Sequence, residues 1–169
     1  MDKRTVFAIT FFLLSLIVLF MAYEGAPEHY GGSKYQTPAP KIVEVGKMNF
    51  TVPAGYFEED SHEKINLSQS ISKHVIKSHQ KSFKQNDLLL LDIAVFELDD
   101  DIDLNAMNDG TFANKSIHGV EGIFKSSKVT TQTGFVENSH SRYYFNYIVD
   151  NKLVMIQCDN LKVIEGMIS

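Results

Sequence analysis

An acidic run in the middle of the chain carries the residue types best suited to chemistry. Asp99, Asp101 and Asp103 alternate along it. Carboxylate oxygens at this spacing open the calcium-binding loop of an EF-hand. That pattern then requires glycine at its sixth position and glutamate at its twelfth, where this chain has Leu104 and Gly110. The run therefore predicts either a helix cap on a solvated loop or a divalent-cation site built on Asp99, Asp101 and Asp103.

Other reactive residue types are present without a recognised catalytic spacing. The histidines do not follow zinc-ligand spacing, and the single cysteine, Cys158, precedes an acidic residue that disfavours a thiolate. We expect Cys158 to be a small buried strand residue. The sequence contains no nucleophile elbow, phosphate-binding loop or dinucleotide fingerprint. It therefore favours a non-enzymatic protein that needs no cofactor, with an unrecognised hydrolase as an alternative.

Three sequons begin at Asn49, Asn66 and Asn114. They matter only if this part of the chain lies outside the cell and the host glycosylates its proteins. Asn49 falls in a predicted strand. We therefore expect Asn66 and Asn114 to be the accessible candidates for glycosylation.

An uncharged apolar run over residues 6–23 sets the expected compartment. It is just long enough to cross a bilayer as a helix, and it is hydrophobic on all sides. Lys3 and Arg4 precede it, whereas Glu24 and Glu28 follow it. The positive-inside rule then places the N-terminus in the cytoplasm and the rest of the chain outside. A single-pass signal anchor in the cell membrane is predicted, with a cleaved signal peptide as the alternative.

The predicted organisation has three parts. Residues 1–23 form a cytoplasmic tip and transmembrane anchor, and residues 24–40, rich in proline and glycine, form a flexible linker. Residues 41–169 form one extracytoplasmic domain. The net charge of −5 argues against nucleic acid as a partner. One cysteine excludes an internal disulfide, so this domain depends on its apolar core.

Turn residues between apolar runs predict three β-hairpins. Their turns fall at residues 46–47, 118–119 and 150–151. The nearly continuous apolar run Leu88–Leu98 is typical of a central strand that is covered on both faces. The polar stretch 126–141 is expected to hold only a short strand.

Two helices are also predicted. One follows the acidic run over Ile102–Asp109, and the other begins after Asn160 and presents Leu161, Ile164 and Ile168 on one face. Residues 61–86 fit either a helix or a strand, because apolar residues recur at helical spacing among poor helix formers. Together these elements predict an α+β fold: an antiparallel β-sheet packed with helices and preceded by one N-terminal transmembrane helix.

Three motifs carry a resemblance to known proteins. They are MNFTVPAGY, KSIHGVEGIFKS and the final stretch RYYFNYIVDNKLVMIQCDNLKVIEGMI. The order of these motifs resembles PsbP-like domains and small single-anchor surface proteins of methanogenic archaea. The resemblance implies a PsbP-like α+β domain over residues 42–168 and favours a strand at Ile71–His79. It transfers no catalytic residue.

The expected function is that of an accessory or interaction module at the cell surface. Its partner would be either a subunit of a membrane complex or an envelope component. A ligand- or cation-binding domain that uses the loop 99–103 is the alternative.

Overall fold

The computed structural model describes residues 37–60, 65, 67–85, 90–107, 110–133 and 136–168. Nine strands and three short helical segments make up this part of the chain. The strands are β1 (Lys41–Val45), β2 (Met48–Val52), β3 (Phe57–Glu59), β4 (Val75–Lys84), β5 (Leu90–Leu98), β6 (Ala113–Ile117), β7 (Val120–Thr133), β8 (Val136–Val149) and β9 (Lys152–Cys158). The helical segments are α1 (Gln69–Ser72), a 3₁₀ turn (Leu104–Met107) and α2 (Leu161–Ile168).

The predicted α+β class is wrong, because the described chain is mostly β. Its helical segments contain only four, four and eight residues, too few to form a helical layer. The helix expected over Ile102–Asp109 is a 3₁₀ turn, since aspartate and asparagine are poor helix formers. The described residues of the polar stretch 126–141 belong to β7, up to Thr133, and to β8, from Val136, where backbone pairing between the two strands replaces the missing apolar pattern.

The predicted membrane anchor, residues 6–23, lies outside the described residues, as does most of the linker. Among the helices of the described ranges, none has the length and apolar composition needed to cross a bilayer.

The seven-stranded sheet consists of two antiparallel meanders joined at one seam. Its strand order is β3-β4-β5-β9-β8-β7-β6, so every neighbour is also a neighbour in sequence except β5 and β9. The three hairpins predicted from turn residues are confirmed. Both turn residues in each have positive φ, with values from 50° at His118 to 85° at Gly119. This left-handed backbone matches the twist of the paired strands.

Side chains alternate between the two faces of this sheet, and each face has its own cover. We call one the hairpin face, because the β1–β2 hairpin and α2 pack on it over Ile93, Val95 and Ile156. The other is the loop face, where Ile71 of α1 and the segment around the 3₁₀ turn pack over Ala94 and Phe96. The prediction that β5 is a central strand covered on both faces is therefore confirmed.

Helix α2 packs through Ile164, as predicted, but its other buried residues differ from those predicted. Val163, Ile164 and Met167 are its buried residues, whereas Leu161 and Ile168 are only partly buried. Both sets of residues are apolar, and the docking angle on the sheet selects between them. Asn160 caps this helix, since its Oδ1 accepts a hydrogen bond from Lys162 N at 3.1 Å.

Candidate functional site

A cleft of about 460 Å³ opens on the loop face and is rich in carboxylates. We call it the acidic cleft. Its polar lining consists of Asp101, Asp103, Asn105, Asn114 and Glu121. Its apolar lining consists of Ile102, Leu104, Ile123 and Ile148, together with the backbone of Gly122.

Two walls form the acidic cleft. One wall is the sheet, where Asn114 of β6 lies directly opposite Ile123 of β7, and Glu121 lies two residues away on the same face. The other wall is the segment Asp101–Asn105. Ile102 and Leu104 pack into the core of the loop face. Apolar residues alternate with aspartates along this segment. Because Ile102 and Leu104 point into the core, the carboxylates of Asp101 and Asp103 are left exposed at the cleft.

The Asp103 carboxylate of the cleft is ordered by local hydrogen bonds rather than by an ion pair. Asp103 Oδ1 accepts hydrogen bonds from Asn105 N at 2.9 Å and from Asn105 Nδ2 at 3.0 Å. Within the described ranges, Asp101, Asp103 and Glu121 make no salt bridge, and no lysine, arginine or histidine lines the cleft. The cleft therefore concentrates negative charge beside an aliphatic surface.

The three aspartates singled out by the sequence are not brought together. Asp101 and Asp103 line the cleft, but Asp99 does not, and Asp99 Oδ1 instead lies 3.1 Å from His74 Nδ1. No group of three or more acidic, histidine or cysteine side chains is placed to hold a metal ion in the part of the chain that the structure describes. Sequence reasoning missed Glu121, because only the register of the β6–β7 hairpin places it opposite the aspartates.

The sequons have different positions. Asn114 is exposed on β6 and also lines the acidic cleft, and Asn49 is exposed on β2. Asn66 lies outside the described residues.

A second cleft, of about 440 Å³, lies on the hairpin face beside the β1–β2 turn. We call it the basic cleft. Its lining comprises Glu44, Val45, Gly46 and Lys47 from the hairpin and Lys77, His79, Gln80 and Lys81 from β4. Sequence reasoning did not single out these lysines, although Lys77, His79 and Lys81 alternate along one strand.

Buried polar groups cluster at the seam between the two meanders. The Asp159 side chain is 1% exposed, and its Oδ1 accepts a hydrogen bond from Arg142 Nε at 2.7 Å. Asp159 Oδ2 accepts one from Leu90 N on β5 at 3.2 Å. The hydrogen bond to Asp159 raises the pKa of Arg142, although burial acts in the opposite direction. These contacts connect β5, β8 and the end of β9, so they stabilise the sheet where the two meanders meet.

The hydroxyl and thiol groups nearest this cluster have structural partners. Ser82 Oγ donates a hydrogen bond to Asp92 Oδ1 at 2.5 Å, rather than to a histidine, and Gln157 Nε2 donates to Asp92 Oδ2 at 3.2 Å. Cys158 is fully buried in β9, as expected, and burial raises the pKa of its thiol. Tyr56 Oη lies 3.8 Å from its Sγ. A buried thiol with a raised pKa is a poor nucleophile.

Comparison with protein-family models, curated proteins and solved structures found no match for this chain. The relationship to methanogen surface proteins therefore stays a prediction.

Proposed function

We propose that this chain is a non-enzymatic binding module at the cell surface, and that its acidic cleft receives a cationic group on an aliphatic stem. A lysine or arginine side chain of a partner protein has this chemistry. The observation that carries the proposal is the lining of the cleft, where Asp101, Asp103 and Glu121 stand beside four aliphatic side chains.

The dimensions and chemistry of the cleft fit such a group. Its volume of about 460 Å³ falls within the range of ordinary ligand sites. Lysine and arginine bury their methylene stems on apolar surface while their charged ends stay in a polar environment. Ile102, Leu104 and Ile148, which are partly exposed, offer that surface, and carboxylates of both walls line the same cleft.

The cell-surface location rests on the apolar run 6–23 and its charged flanks. An anchored domain that binds a basic group suits an accessory subunit of a membrane complex or a protein that attaches to an envelope component. The net negative charge disfavours nucleic acid as the partner.

The test is calorimetric titration of the detergent-solubilised full-length protein with spermidine and with a short lysine-rich peptide. We expect the double variant Asp103→Asn/Glu121→Gln, with one change on each wall, to bind both probes about tenfold more weakly. The control Asp60→Asn/Asp150→Asn removes the same charge from exposed positions outside the cleft. Equal losses in both variants would show that binding is nonspecific attraction and would overturn the proposal.

A divalent cation is the second candidate ligand of this cleft. Asp101, Asp103 and the amide oxygens of Asn105 and Asn114 are ligands that calcium accepts. Calcium should then raise the melting temperature, and Asp101→Asn/Asp103→Asn should abolish the increase. No change at millimolar calcium would exclude this candidate.

A further inference from the structure

We propose that the basic cleft is a second binding site, specific for a small soluble ligand that carries a phosphoryl group. This proposal does not depend on the acidic cleft, which lies on the opposite face of the sheet and has the opposite charge.

The basic residues of this cleft come from two elements that the fold brings together. Lys77, His79 and Lys81 alternate along β4, so all three side chains lie on the hairpin face. Lys47 is added by the β1–β2 turn, which packs against the same strand. Among the described residues that line this cleft, Glu44 is the only acidic one.

Nearby carboxylates occupy only part of this positive charge. Lys81 Nζ lies 2.8 Å from Glu58 Oε1, and His79 Nε2 lies 3.4 Å from Glu97 Oε1. Lys47 and Lys77 are exposed, and neither makes a salt bridge to any residue that the structure describes. Two ammonium groups are thus available to a ligand.

The position of Lys47 is held by the left-handed backbone of the β1–β2 turn. Gly46 and Lys47 have φ values of 58° and 62°, a region that residues with a side chain rarely occupy. Gly46 is pressed so closely on the sheet that an added Cβ would lie 2.7 Å from Val95 Cγ1 and 3.3 Å from His79 Cδ2. Asparagine or glycine would suit position 47 better than lysine.

The chemistry of the lining favours a phosphoryl group. Ammonium groups act as point charges that bind phosphate, whereas planar carboxylates are matched by the fork of an arginine, which this lining lacks. The volume of about 440 Å³ leaves room for a small organic group. The net charge of −5 repels anionic membranes and polyanions, which favours a small soluble ligand over a lipid headgroup.

The test is titration of the detergent-solubilised full-length protein with inorganic phosphate. We expect Lys47→Gln/Lys77→Gln to weaken phosphate binding about tenfold. The control Lys128→Gln/Lys162→Gln removes the same charge from exposed positions elsewhere and should change the affinity less than about twofold. Both proteins should still bind spermidine, which separates this result from failure of the acidic cleft.

A second arm distinguishes the source of the phosphoryl group. The protein is reconstituted without detergent in two kinds of vesicle, one of phosphatidylcholine alone and one that also contains phosphatidylglycerol. Its affinity for phosphate is then compared between the two. Binding of phosphate that is unaffected by the anionic lipid supports the proposal. No phosphate binding at millimolar concentration, equal losses in the two lysine variants, or competition by the anionic lipid would overturn it.

Discussion

The acidic and basic clefts have nearly the same volume, about 460 and 440 Å³, but they differ in charge and construction. The acidic cleft is closed by the segment Asp101–Asn105, which is attached to the loop face by the partly buried side chains of Ile102 and Leu104. The basic cleft is closed by a two-residue turn pressed against β4. One chain with a modest net charge thus presents two opposite local fields. Net charge describes the whole surface. The charge of each cleft depends instead on which side chains the alternation along a strand places on the same face of the sheet.

The first way to test this comparison is to weaken the sheet that both clefts share. Arg142→Met removes the guanidinium that pairs with the buried Asp159 carboxylate, while His140 Nε2 stays 3.4 Å away, and we expect a loss of about 3 kcal/mol in the free energy of unfolding. Urea unfolding of the full-length protein, followed by circular dichroism, measures the change. Both clefts should keep their affinities while the protein stays folded.

A matched double variant separates the lost charge partner from lost packing. In Arg142→Met/Asp159→Asn the carboxylate charge is also removed, while the amide oxygen can still accept the hydrogen bond from Leu90 N. We expect this variant to recover part of the stability. A single variant that loses less than about 1 kcal/mol would contradict the role given to the pair.

The second test compares two glycines whose backbones line the two clefts. A Cβ on Gly122 would point to the hairpin face, behind the acidic cleft, and would lie 2.5 Å from the backbone oxygen of Asn146 and 2.7 Å from Phe145 Cζ, so Gly122→Ala should cost about 3 kcal/mol. Gly46→Ala should cost about 2 kcal/mol in the basic cleft, because its positive φ and its contact with the Val95 side chain are both unfavourable. Gly166→Ala is the control, since nothing lies within 4 Å of the added Cβ in α2, and it should stabilise by about 0.5 kcal/mol. A stabilising Gly46→Ala or Gly122→Ala would refute the packing described here.

The smallest expected effect comes from the Glu58–Lys81 ion pair beside the basic cleft. Its loss should change phosphate affinity but not spermidine affinity, and should change stability in a pH-dependent way. The hydrogen bond from Lys81 is the main cause that lowers the pKa of Glu58 below its ordinary value of 4.5. Glu58→Gln should release Lys81 and raise phosphate affinity about twofold without changing spermidine affinity. It should also cost about 0.3 kcal/mol of stability at neutral pH.

The sign of the pH dependence follows from that lowered pKa. The folded state binds the Glu58 proton more weakly than the unfolded state does, so the contribution is complete above pH 4.5 and fades as the pH falls through the lower folded-state pKa. Unfolding free energies of the wild type and Glu58→Gln should therefore converge in acid. A constant difference between the two proteins would count against the Glu58–Lys81 pair as its source.

Local features of the fold were predictable from the sequence, whereas most contacts between distant segments were not. Turn residues such as Asp150-Asn151 identified hairpins because few residues tolerate a left-handed backbone. The apolar run Leu88–Leu98 identified a central strand because both of its faces are buried. The balance of helix and sheet was wrong, since polar strands such as the outer part of β7 are stabilised by a paired backbone that leaves no apolar pattern.

The candidate sites show the same limit. Asp101 and Asp103 were recognised from their types, but Glu121 joins them only through strand register and the position of the 3₁₀ turn. The lysines of β4 could have been recognised from their alternation alone. The proximity of Lys47 to these lysines could not have been recognised, because the sequence does not show which strand the β1–β2 hairpin packs on.

The seam between β5 and β9 has a consequence for how this chain folds. Every other neighbouring pair in the seven-stranded sheet is adjacent in sequence, whereas Leu91 pairs with Cys158. The entropy of closing that long loop must be overcome before the contacts across the seam form. Such non-local pairing slows folding. We therefore expect two meanders to form early and independently, with their docking at the seam as the slow step and Asp159 among the last groups to lose water.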